Sequence, residues 1–174
     1  MTLAVWEASF YQHSDIETRA HTFFGDKYTP PLVEIFVYGG PLDPICQAGD
    51  SCAPVDPYGY AGDGEVDEDI EMALAMAPAA KSILVYNIPL DDTSQTPLDE
   101  WTRIANDYRA DVISSSWPVF CETTAPVGYL QAENILFEQM AAQGQSVLGG
   151  AVERLRSLQL HRCGRLFIGS DRRG

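Results

Sequence analysis

Basic residues are scarce in this sequence: Lys and Arg total 11 against 25 Asp and Glu, for a formal net charge of −14 and an isoelectric point near 4.3. So acidic a chain is repelled by phosphate backbones and anionic headgroups, which argues against nucleic acid or a membrane surface as partner. Long apolar runs are absent. No stretch approaches the roughly 20 apolar residues that cross a bilayer, and the opening Met1-Thr2-Leu3-Ala4-Val5-Trp6 reads as a strand rather than as a secretory signal. Cysteine is also sparse: four in 174 residues cannot frame a disulfide-built fold. Cys46 and Cys52 either close a small loop or remain two thiols. No Cys/His spacing suits zinc, so no metal is expected on this chain. The three histidines, His13, His21 and His161, suggest no catalytic triad, and no Gly-x-Ser-x-Gly elbow marks an α/β-hydrolase.

What is present is a core-forming chain, 45% hydrophobic and long enough for one domain. Apolar strand-like runs alternate with helical patterns. Leu3–Trp6, Leu32–Tyr38, Ser82–Tyr86, Asp111–Ser115 and Ser146–Leu148 read as strands. Ser14-Asp15-Ile16-Glu17 has the form of a capping box opening a helix toward Phe23-Phe24. Asp67–Met76, Pro97–Tyr108 and Tyr129–Gln143 read as further helices, and 41–64, rich in Gly, Pro and Asp, as a long loop. Such alternation predicts an α/β fold, a mostly parallel sheet with helices on both faces joined by right-handed crossovers. Residues 152–174 differ in style, holding six of the eleven basic residues, all Arg. The domain proper is therefore expected over 1–151, followed by a divergent tail over 152–174.

The chemistry-bearing stretch is Asp63-Gly64-Glu65-Val66-Asp67-Glu68-Asp69-Ile70-Glu71, at a helix entrance. Acids in a first turn offset the positive end of the helix dipole, and that alone accounts for many such clusters. The spacing lacks the pattern of an EF-hand loop. Glu65 and Asp69, however, stand four apart and share one helical face. Two close carboxyls resist joint ionisation, so one tends to hold a proton for the other, which suits a proton relay.

Glu65 through Glu71, followed by Ala75-Met76-Ala77-Pro78-Ala79-Ala80 and the strand Ser82–Tyr86, resembles the catalytic motif of the sedolisin family of serine-carboxyl peptidases. Ala4–Phe24, Ile113-Ser114-Ser115-Ser116-Trp117 with Cys121-Glu122, and Gly144–Ala151 resemble further family segments in the same order. The resemblance implies a subtilisin-like fold, truncated on its C-terminal side, and an acid-active endopeptidase or tripeptidyl-peptidase. It implies Glu65 as general base toward a serine hydroxyl, Asp69 as its support, and Ser115, Ser116 and Trp117 beside an extended peptide substrate bound along an exposed backbone edge. A Glu, with a reference pKa of about 4.3, still accepts protons where a His, at about 6.5, is already charged. It further implies calcium for the full-length family at a site outside this chain, a monomer, and a secreted or lysosome-like setting.

The sequence departs from the family in three places. No Gly-Thr-Ser-x-Ser nucleophile motif occurs, Pro118 replaces the Gly expected after Trp117, and Val152-Glu153 stands where Gly-Asp would supply the oxyanion stabiliser, leaving Glu153 as the sole carboxylate nearby. An out-of-frame or read-through tail from 152 would account for the missing nucleophile and oxyanion motifs, leaving an inactive fragment with uncovered sheet edges and low stability. The rival expectation is a non-catalytic sedolisin-like module that binds peptides or proteins.

Overall fold

A computed structural model of the chain describes residues 1–9, 11–40, 63–89, 95–117 and 125–149. The loop 41–62 with Cys46 and Cys52, the residues Pro118, Cys121 and Glu122, and the tail with Glu153 lie outside the described residues. The order is β1 (Thr2–Glu7), α1 (His13–Phe24), β2 (Leu32–Phe36), α2 (Asp63–Met76), β3 (Ser82–Asn87), α3 (Gln95–Asp107), β4 (Val112–Ser115), α4 (Val127–Ala142) and β5 (Ser146–Gly149). The five strands form one parallel sheet in the order β2-β3-β1-β4-β5. This is the expected α/β sheet, with β1 at its centre.

Alternation along the central strands splits the core in two. Val5, Ile83 and Val85 point to one face, where Ile16 of α1 and Val66, Ile70 and Leu74 of α2 cover them. Ala4, Trp6, Leu84 and Tyr86 point to the other, under Trp101, Ile104 and Ala105 of α3 and Met140 of α4. Trp101 is the hub there, stacked on Trp6 at 5.9 Å and meeting Phe137 edge-on at 5.1 Å.

This arrangement corrects the expectation that every crossover is right-handed. The α1 connection runs from β1 outward to β2, whereas the α2 connection runs back from β2 to β3, yet both helices lie on the same face. The α3 and α4 connections run in the same lateral direction as α2 but on the opposite face. So α2 has the opposite hand to the other three, and with those in the usual right-handed sense it is the left-handed exception. The start of α1 also differs from its capping-box reading. Gln12 is the N-cap, its carbonyl accepting from the Asp15 and Ile16 amides at 3.0 and 3.4 Å. Ser14, already inside the helix, turns its hydroxyl to Asp15 Oδ1 at 3.2 Å.

Candidate functional site

Every helix of a parallel α/β sheet starts near the carboxyl ends of the strands, and sites form there. Because α2 returns on the face of α1, its first two turns come down beside the end of β1. Glu65 lies in the first turn and is exposed; Asp69, one turn on, is half-buried. Both act electrostatically on the same group, the carboxyl of Glu7 at the end of β1. The two acids picked from the sequence thus lie toward one end of the sheet.

Glu7 was not expected in the site. It is 0% exposed, and its Oε2 accepts the indole N–H of Trp117 at 2.7 Å. Burial, then the Asp69 charge, hold its proton well above the usual carboxylate range, against the pull of the Trp117 bond. Asp69 Oδ1 accepts the Ser116 hydroxyl at 2.6 Å. Its proton affinity is raised too, by burial first, while hydrogen bonds from Ser116 and Glu7 oppose the rise. Glu7 and Asp69 are within side-chain hydrogen-bonding reach, and each keeps one buried oxygen, Oε1 and Oδ2, that no other described group satisfies. A single proton between the two carboxyls meets both needs: neutral Glu7 donates, Asp69 accepts as carboxylate.

The end of β4 and the two residues after it hold this pair. Ser115 is buried and in register with Gly149 of β5, and its Oγ lies 3.4 Å from the Trp117 amide as acceptor. β4 is an interior strand, flanked by β1 and β5. Ser115 is therefore paired with β5, and the hydroxyl of Ser116 and the indole of Trp117 are engaged with carboxyls. Trp117 also packs against both core clusters, so its packing and polar contacts coexist.

A second buried acid lies behind the first. Glu100 of α3 is 0% exposed. Burial, then the charge of Glu7, raise its proton affinity well above normal. A sequence signal for it existed: Pro97, Glu100, Trp101, Ile104 and Ala105 follow helical spacing, which sets Glu100 within the apolar stripe. Glu7, the charge ending an apolar strand, had the weaker signal. Among the described residues no group of three or more His, Cys, Asp or Glu is arranged to hold a metal. No helix among them is long and apolar enough to cross a membrane.

No family model matches the chain. Over 124 residues it is 35% identical to kumamolisin of Bacillus sp. (strain MN-32), covering 70% of this chain and 20% of that protein. Its fold is similar to that of Pseudomonas sedolisin, a serine-carboxyl proteinase solved in complex with two molecules of pseudo-iodotyrostatin. The TM-score is 0.61 at 22% identity, over 86% of this chain and 38% of that one. The chain thus spans much less than half of either relative. Sequence likeness and the shared fold identify it as sedolisin-like, corresponding to an N-terminal part of that peptidase fold.

Proposed function

We propose that this chain carries the proton-accepting half of an acid-active serine-carboxyl peptidase, with a peptide or protein substrate and a serine supplied by polypeptide outside the described residues. One observation carries the reading: Asp69 is held between Ser116 and the buried acid Glu7, while Glu65, one helical turn away, is exposed to an incoming group.

In this reading Glu65 takes the proton of the serine hydroxyl as the oxygen attacks the substrate carbonyl, then returns it to the leaving amine. Asp69 shares the field of that proton and orients Glu65. Ser116 and Glu7 keep Asp69 ionised and fixed, so the pair is preorganised before substrate arrives. A secreted or lysosome-like acidic compartment fits this chemistry.

The test uses the polypeptide that contains this chain together with its serine, assayed on a denatured protein substrate at acidic pH. Glu65→Gln is expected to lower kcat by about 10³-fold or more, the scale of removing one member of a triad, with circular dichroism unchanged. Asp69→Asn is expected to lower it comparably. Near-normal turnover in a folded Glu65→Gln variant rejects the assignment; binding of the substrate without cleavage by the parent polypeptide would favour the peptide-binding module instead.

A further inference from the structure

Glu7 and Glu100 bring two carboxyls into the interior from different elements. Glu7 ends the central strand, and Glu100 comes from α3 across the sheet. Both side chains are 0% exposed. Among the described residues neither oxygen of Glu100 finds a hydrogen-bond partner of good geometry, although its carboxyl lies near the backbone of Glu7. Among the described residues the groups around them supply no compensating positive charge. Glu7 is faced by Asp69 and Glu65 from α2, by the Trp117 indole after β4, and by Tyr11 ahead of α1. Beside Glu100, Arg103 of α3 is exposed and engaged with Asp107, and on α4 Glu138 binds Asn134 and Glu133 binds Tyr129. An ionised carboxylate buried without a cation is costly, so both groups are acids in the folded chain.

We propose that Glu7 and Glu100 form a pH-sensitive lock on the fold: with both protonated α3 is seated on the sheet and Glu7 serves Asp69, whereas losing the Glu100 proton buries a charge under α3, losing the Glu7 proton buries one on the α2 face, and each opens the contact on its own side. The lock stands on burial and charge alone and does not depend on the peptidase reading.

The sign follows from the raised proton affinities. In the unfolded chain both groups return to an ordinary value near 4.5. Below that, both states carry the protons and stability is greatest. Above it the unfolded chain releases them while the folded chain keeps them, so folding becomes less favourable as pH rises. Each group contributes about tenfold in the folding constant per pH unit. Asp69 adds a contribution of the same sign.

Urea unfolding of the whole chain between about pH 5 and 7 tests this, comparing wild type with Glu100→Gln and Glu100→Leu. The wild type is expected to lose up to about hundredfold in folding constant per pH unit from these two groups, and either variant up to about tenfold less per unit, from two groups contracting to one. Amide exchange is expected to quicken first in α3. A variant whose pH dependence equals that of wild type overturns the lock. Should neither variant fold, proton release on unfolding wild type near pH 6, read with an indicator dye, decides it. Release of two or more protons per chain supports the lock, and fewer than two overturns it.

Discussion

At the residue scale the site is a chain of donors and acceptors drawn from distant parts of the sequence. Trp117 and Glu7 are 110 positions apart, Ser116 and Asp69 47. That separation explains what could be read in advance. Glu65 and Asp69 were legible because helical spacing is local. Glu7 and the double use of Ser116 were not, because each depends on which strand lies beside which. The Ser116 bond yields a prediction of definite sign. It favours the charged form of Asp69, so Ser116→Ala is expected to raise the proton affinity of Asp69 further. A carbon-13 NMR titration of the Asp69 carboxyl is expected to show its midpoint move to higher pH in the variant. A midpoint moved downward, or unmoved, would show that the hydroxyl does not stabilise the carboxylate.

At the element scale, periodicity located the nine elements among the described residues to within a few residues, because each has an apolar stripe or alternation of its own. The hand of the α2 crossover was not legible. An amphipathic helix declares that it has a buried face but not which side of the sheet receives it, and Val66, Ile70 and Leu74 would serve either. Yet that choice puts Glu65 and Asp69 beside Glu7 rather than across the sheet from it. Packing also shows where the opposite face is most vulnerable. Trp101 is 4% exposed and bridges Trp6 and Phe137, so Trp101→Ala leaves a large void between α3, α4 and β1. The expected cost is about 3–5 kcal/mol, a large part of the roughly 5–15 kcal/mol that holds a domain together. Urea denaturation near pH 4 measures it, and a loss below about 1 kcal/mol would mean that the core closes over the gap.

At the scale of the whole molecule two pH dependences run against each other. The protonated interior favours acid, while solubility depends on the net charge of −14. As carboxylates take up protons that charge shrinks, and it vanishes near the isoelectric point of about 4.3. Repulsion between copies then fails where the fold is at its firmest. The surface gives association a route: Phe23, Phe36, Met76, Ile135 and Leu148 are all more than half exposed, and β2 and β5 end the sheet among the described residues. Strand edges with apolar flanks pair with other chains once charge no longer keeps them apart. The 174-residue chain is therefore expected to self-associate most strongly near pH 4.3 and least at neutral pH. Added salt should promote association at neutral pH, where it screens the repulsion, and matter little near the isoelectric point. Sedimentation velocity across pH 3–7 at two salt concentrations measures this directly. A monomer that persists through the isoelectric point would show that these edges and apolar side chains are shielded in solution.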